Sequence, residues 1–172
     1  MLTKIAASIA TVLVLTSPLA AEETGLFNTL SLTPDVAVKA AQAALKSCRD
    51  GGYQVAVAVV DRGGNMQVMI RDRFAGPHTP DTAYRKAWTA VSFRTATGDM
   101  ATSLKEGTVS AGVRHVTGAL MVGGGVMFEA QGTVIGAIGV SGAPPGASEA
   151  ASIDRACAEA GIEAISGTLE GF

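Results

Sequence analysis

Residues 55–71 read VAVAVVDRGGNMQVMIR, and this stretch decides the fold. The run of valine and alanine over 55–60 is typical of a strand that is buried on both faces. Residues 66–71 alternate in polarity, which indicates a second strand with one exposed face. The segment between the two runs contains a Gly-Gly pair and has the length of a hairpin turn. The stretch therefore predicts a β-hairpin at the centre of an antiparallel sheet.

Helix-start signals occur on both sides of this hairpin. The tripeptide Thr-Pro-Asp at 33–35 recurs at 79–81, and in each copy a hydroxyl cap precedes a proline at the first helical position. Alanines and valines then recur every three or four residues and give each helix one apolar face. The predicted helices cover 34–49, 80–94, 97–105 and 147–160, and Gly161 closes the last of them.

The C-terminal half contains a long apolar region over 119–141 that is divided by glycines. Glycine-rich turns inside such a region favour strands over a membrane-spanning helix. Three strands are predicted here, over 119–122, 126–130 and 133–141. With the hairpin and the helices, they indicate a layered α+β domain whose sheet is largely antiparallel.

The N-terminus has the layout of a cleavable signal peptide. Lys4 is followed by a short apolar core over 5–15 and by small residues over 17–21. Cleavage is predicted after about Ala21, although the exact site stays open. The mature chain, residues 22–172, is then expected to be a single periplasmic or secreted domain without a membrane anchor.

The composition restricts the possible partners. The chain carries 13 basic and 15 acidic side chains, a formal charge of −2. This balance gives no electrostatic basis for binding nucleic acid or an anionic membrane. An apolar content of 48% with only 16% charged residues favours a homo-oligomer, because oligomerisation covers apolar surface.

The two cysteines, Cys48 and Cys157, have no neighbouring cysteine or histidine at a metal-binding spacing. In an oxidising compartment they could form a disulfide if the first and last helices lie together. Buried, unpaired cysteines on alanine-rich helices are the alternative.

Two glycine-containing motifs are candidate sites of chemistry. The triplet Gly123–Gly125 lacks the lysine and hydroxyl residue of a phosphate-binding loop, which favours a tight turn. The segment Gly139–Ala143 differs from a nucleophile elbow at its last position and leads into a Pro-Pro loop instead of a helix. Serine hydrolysis is therefore not predicted.

The chain has only two histidines, and both are candidate ligands. His78 lies between prolines just before a predicted helix, and His115 follows Arg114 before the strand region. A neutral imidazole is a common ligand for transition metals and for haem iron. A structural hydrogen bond in the loop is the alternative role for His78. A metal site formed by His78 and Asp81 is a further possibility, without a complete ligand set.

Basic side chains accumulate in the same region of the chain. Arg71, Arg85 and Lys86 could bind carboxylates such as haem propionates. A solvated helix face explains Arg85 and Lys86 equally well.

Several blocks in order resemble the GlcG/HbpS-type haem-binding proteins, over about residues 32–165. The blocks are VAVVDRGGN at 57–65, RKAWTAVSFRT at 85–95, MVGGG at 121–125, VIGAIGVSG at 134–142 and DRACAEAG at 154–161. The resemblance implies a profilin-like, three-layer domain with a five-stranded antiparallel sheet between helices, and symmetric oligomers. Such proteins include extracellular haem binders, domains attached to cobalamin enzymes and companions of glycolate metabolism.

The resemblance and the candidate residues together predict an exported haem-binding protein that serves haem or iron binding, sensing or storage. His78 is the expected iron ligand, with His115 as second choice, and Arg71, Arg85 or Lys86 would meet the propionates. An enzyme or accessory factor acting on a small carboxylic acid such as glycolate, in the same basic cleft without iron, is the alternative. A purely structural oligomer is a third possibility.

Overall fold

The computed structural model describes residues 25–170, so the predicted signal peptide lies outside the described residues. The helices are α1 (Pro34–Asp50), α2 (Thr79–Phe93), α3 (Thr97–Glu106), a 3₁₀ helix (Ala111–His115), α4 (Ile153–Glu163) and α5 (Ser166–Leu169). The strands are β1 (Ala56–Asp61), β2 (Met66–Arg71), β3 (Gly125–Ala130) and β4 (Thr133–Ser141). A bilayer-crossing helix is not found among residues 25–170, since none combines sufficient length with sufficient apolar character.

Within the described residues the sheet has four strands in the order β2-β1-β4-β3, and every neighbouring pair is antiparallel. The predicted hairpin is present as β1 and β2, and β1 lies inside the sheet as expected. The prediction of five strands is wrong. The profilin-like description stays a prediction.

The missing fifth strand is the segment 119–122, whose backbone is bonded to side chains instead of a neighbouring strand. The Thr89 hydroxyl accepts from the Leu120 N–H at 2.8 Å, and the Thr97 hydroxyl donates to the Val122 carbonyl at 2.7 Å. Because side chains of α2 and α3 satisfy these backbone groups, the apolar segment has no need of a strand partner.

Alternation along β1 places helices on both faces of the sheet. Its odd-numbered valines, Val57 and Val59, belong to the core that contains the buried faces of α1 and α4. Its even-numbered residues pack on α2, since Ala58 lies with Ala83, and Val60 with Ala87. The two-residue period of the strand therefore builds the three predicted layers, helices, sheet and helices.

The α2 face of the sheet carries unusually small residues. Ala56, Ala58 and Ala137 lie on this face, and Gly139 lies between α2 and the sheet. A Cβ atom added to Gly139 would lie 2.0 Å from the Ala83 carbonyl oxygen. Backbone therefore contacts backbone at this position, which holds the start of α2 close to β4.

The last long helix begins later than predicted. Ser152 caps it, accepting a hydrogen bond from the Arg155 N–H at 3.2 Å, and the helix continues through Gly161 to Glu163. Gly161 therefore does not end the helix. Its lack of a side chain instead permits close contact with α1. A Cβ atom there would lie 2.7 Å from the Ala40 carbonyl oxygen.

A disulfide between Cys48 and Cys157 joins α1 to α4, with the two Cα atoms 5.5 Å apart. The first and last long helices therefore lie together, as the pairing requires. Of the two alternatives left open by the sequence, the structure contains the disulfide.

Candidate functional site

A cavity of about 230 Å³ opens beside the N-terminal end of α2. Its walls come from the first turns of α2, from residues 122–123 before β3, from the loop 141–145 after β4, and from residues 149–154 at the start of α4. Four segments that are distant in sequence thus meet at one end of the sheet.

His78 lies at this cavity in the residue position that precedes α2. Its side chain is exposed and makes no capping hydrogen bond, and the described residues offer its ring no other partner. The ring lies over Gly76, where an added Cβ atom would be 2.8 Å from Cε1. The loop hydrogen bond considered as an alternative role is therefore not made by this imidazole.

Lys86 and Asp154 form a buried ion pair in the cavity wall. Lys86 is 2% exposed, and its Nζ donates to Asp154 Oδ2 at 2.9 Å and to the Val140 carbonyl at 3.0 Å. The other oxygen of Asp154 accepts from the Ala143 N–H at 3.0 Å. Buried charges need such partners, and the pair connects α2, the end of β4 and α4.

Gly123, the first glycine of the triplet 123–125, lines the cavity, and all three glycines pack closely against other segments. An added Cβ atom would lie 2.1 Å from the Glu149 carbonyl oxygen at Gly123 and 2.3 Å from the Lys86 carbonyl oxygen at Gly125. At Gly124 the backbone has φ +126°, which disfavours a side chain. Glycine is required at all three positions by close packing or by the backbone angle. The sequence predicted a tight turn here and did not predict this packing.

Glu149 attaches the α4 segment to this wall, because its Oε2 accepts from the Gly123 N–H at 2.7 Å. Ser141, at the end of β4, lines the cavity and is 4% exposed. Its hydroxyl makes no hydrogen bond to another side chain among residues 25–170.

The remaining predicted site residues lie outside the cavity lining. Arg85 points to the segment before β3, where its Nη2 donates to the Ala119 carbonyl at 3.1 Å. Arg71 is exposed at the end of β2, and His115 is exposed at the end of the 3₁₀ helix. The structure thus brings His78 and Lys86 together, whereas a cleft lined by several basic residues is not formed there.

A metal site from protein ligands alone is not found in the described part of the chain. Within residues 25–170, no group of three or more histidine, cysteine, aspartate and glutamate side chains is arranged to hold an ion. Asp81 lies 3.9 Å from the Arg85 guanidinium. The predicted metal site of His78 and Asp81 has no third ligand among residues 25–170.

Comparison with known proteins gives a family and several solved structures. A family model described as "haem degrading protein HbpS-like" matches residues 32–163. A double mutant of HbpS from Streptomyces reticuli is 38% identical, with a TM-score of 0.73, over 86% of this chain and 96% of that one. The structure of a PduOC–haem complex is 30% identical, with a TM-score of 0.70, over 79% of this chain and 96% of that one.

Curated relatives include longer proteins. The corrinoid adenosyltransferase PduO of Citrobacter freundii is 30% identical over 103 residues, which are 59% of this chain and 31% of that protein. The chain therefore spans about a third of the length of that enzyme. An uncharacterised 15.0 kDa protein of the same organism is 33% identical over 65% of this chain and 80% of its own length.

Proposed function

Because the chain belongs to the HbpS-like family, we propose that it is a haem-binding protein. A relative that is 30% identical over most of its length was solved as a complex with haem, which supports the proposal. The family description concerns haem degradation, and binding is the step that any such activity requires first. Binding is therefore the activity proposed and tested.

The observation that identifies the iron ligand is the imidazole of His78, which is exposed at the cavity and makes no hydrogen bond within residues 25–170. Proline residues at 77 and 80 restrict the backbone on both sides, so little conformational freedom is lost when the ring binds a ligand. Iron could bind a ring nitrogen without displacing a hydrogen-bond partner from residues 25–170. His78 is accordingly the residue that would hold haem iron.

The size of the cavity limits how a haem could be held. Its volume of about 230 Å³ lies below the roughly 300–1,000 Å³ of sites that enclose a drug-sized ligand. A haem bound through His78 would therefore extend beyond the cavity of a single chain. Val122, Pro144 and Pro145, which are exposed at the cavity, offer apolar contacts at this opening.

Titration of the purified protein with hemin tests the proposal. The wild-type chain is expected to give a saturable shift of the Soret band, and His78→Ala to weaken binding by about tenfold or more, because an iron–imidazole bond is lost. His115→Ala is the matched control, since it removes the other exposed histidine. Loss of binding only in His115→Ala would reassign the ligand, and a spectrum identical to free hemin would overturn the function.

We further propose that the protein works outside the cytoplasm. The signal-peptide pattern of residues 1–21 supports export, and so does the Cys48–Cys157 disulfide, since such bonds persist in oxidising compartments. Expression of the full chain should yield a periplasmic or secreted product whose mass corresponds to a start near residue 22. Full-length protein confined to the cytoplasm would contradict this proposal. The homo-oligomeric state stays a prediction from composition.

A further inference from the structure

Ser141 is a buried residue whose hydroxyl has no hydrogen-bond partner among residues 25–170. Along β4, Ile138 and Val140 face the core of α1 and α4, whereas Ala137 and Gly139 face α2. The alternation therefore directs Ser141 towards α2, where it lines the cavity while only 4% exposed. Its hydroxyl has no hydrogen bond within residues 25–170. The oxygen is open to the cavity, so a molecule that enters the cavity can bond to it.

Two other polar groups of the cavity have bonding capacity to spare. The Lys86 ammonium has three N–H donors, of which the structure assigns one to Asp154 and one to the Val140 carbonyl. The Glu149 carboxylate uses Oε2 for the Gly123 N–H, and no bond to Oε1 occurs among the described residues. The cavity thus offers donors and an acceptor at the same time.

The lining disfavours an anion by its charge and a cation by its hydrogen-bonding groups. Lys86 is the basic residue of the lining besides His78 at its mouth, and its charge is already matched by Asp154. Glu149 adds a second carboxylate, so a small anion would meet unfavourable electrostatics. A cation carries only hydrogen-bond donors, so it would leave the spare Lys86 N–H without an acceptor. An uncharged ligand avoids both costs and still satisfies the spare donors and acceptor.

We propose that this cavity binds a small uncharged molecule that carries two or more hydroxyl groups. Each hydroxyl can donate and accept, so one molecule can accept from Lys86, donate to Glu149 and pair with Ser141. The volume of about 230 Å³ suits a molecule of only a few carbon atoms. His78 lines the same cavity, so the diol would share this space with the proposed haem position, and its binding is tested on the hemin-free protein.

The test compares ethylene glycol, glycolate and 2-aminoethanol, a matched series in which one end is a hydroxyl, a carboxylate or an ammonium. Glycerol serves as a larger uncharged probe. Each is titrated into the hemin-free protein while the amide signals of Gly123, Gly142 and Ala143 are followed by NMR. The diol and glycerol are expected to give saturable shifts at these amides, with weaker or no binding of the two ions.

Ser141→Ala is expected to weaken diol binding by about tenfold, the effect of one lost hydrogen bond, while Ser92→Ala on the exposed face of α2 leaves it unchanged. Glu149→Gln should improve glycolate binding relative to the diol, because it removes a carboxylate and keeps an acceptor. Lys86 is unsuitable for substitution, since Asp154 would be left buried and unpaired.

Tighter binding of glycolate or 2-aminoethanol than of the diol would overturn the uncharged ligand class. Shifts that grow linearly and spread over the whole protein would overturn the site, because they report a solvent effect. Diol titration of His78→Ala should match the wild type within about twofold, because the imidazole is not one of the groups that bond the diol, whereas hemin binding of this variant is weakened. This control separates a failure of the diol site from a failure of haem binding.

Discussion

Among single residues, Asp72 shows how one buried carboxylate connects two elements. It is 5% exposed, accepts from Arg49 Nε at 2.9 Å and from the Arg73 N–H at 2.9 Å. The hydrogen bond from Arg49 holds the pKa of Asp72 below its ordinary value, against the opposing effect of burial. This contact attaches the end of α1 to the segment that follows β2.

The lowered pKa of Asp72 predicts a defined dependence of stability on pH. The carboxylate is favoured in the folded state, so its contribution is fully present above the ordinary pKa of about 3.9 and is lost as the pH falls through the lowered pKa. Arg49→Gln should therefore reduce the free energy of unfolding at neutral pH and have little effect below the lowered pKa. Urea unfolding across this pH range is the measurement.

Lys46→Gln is the control for this prediction, because the ion pair of Lys46 with Asp50 is exposed on the same helix. It should change the pH dependence far less than Arg49→Gln. Equal effects of the two substitutions would show that Asp72 does not carry the dependence.

The site residues differ in how far the sequence could predict them. The exposure of His78 follows from the prolines beside it, which are local. The burial of Lys86 depends on Asp154, which lies 68 residues away, so the local pattern was equally consistent with a solvated helix face. The sequence pattern around Ser141 could be compared only with that of a nucleophile. Its position at a cavity results from the packing of α2 on β4, which the local sequence does not reveal.

Between elements, the approach of α2 to β4 leaves no room at Gly139. Gly139→Ala is predicted to lower the free energy of unfolding by about 1–3 kcal/mol, because its Cβ atom would overlap the Ala83 carbonyl oxygen. Gly167→Ala is the matched control, since no atom lies within 4 Å of a Cβ atom placed there. Urea unfolding of both variants measures the difference, and equal stabilities would contradict the close packing.

Elements with local signals were predicted from the sequence, and elements set by distant side chains were not. The hairpin and the helices that begin near residues 34 and 79 are confirmed. The strand at 119–122 was wrong because hydroxyls of Thr89 and Thr97 take its backbone bonds. The early start of the last helix was wrong because residues before Ser152 form a cavity wall, where Glu149 binds the backbone of Gly123.

For the whole molecule, the resemblance to GlcG/HbpS-type proteins is confirmed by the family match over residues 32–163. The α+β class with an antiparallel sheet between helices is confirmed as well. The strand count was wrong because the apolar pattern and the resemblance both predicted a strand over 119–122, where side chains of Thr89 and Thr97 bond the backbone instead.

The disulfide joins α1 to α4 covalently, and its two cysteines are 109 residues apart in the sequence. Replacement of Cys48 and Cys157 by serine is predicted to lower the free energy of unfolding by about 2–5 kcal/mol, since the unfolded chain loses a constraint over a long loop. Thermal unfolding with and without reductant is the measurement. The wild type should lose stability on reduction and the double variant should not, whereas a wild type indifferent to reductant would contradict the prediction.

The same bond also determines what happens to a chain that has been cut. Residues 107–118 are largely exposed, and a protease that cleaves there separates α2 from β4 and α4 in sequence. Both fragments would still be held by the Cys48–Cys157 bridge, which encloses the cut. A nicked molecule would therefore migrate as one species until reductant is added. Its cavity, whose walls come from both fragments, would survive such a cut in the backbone.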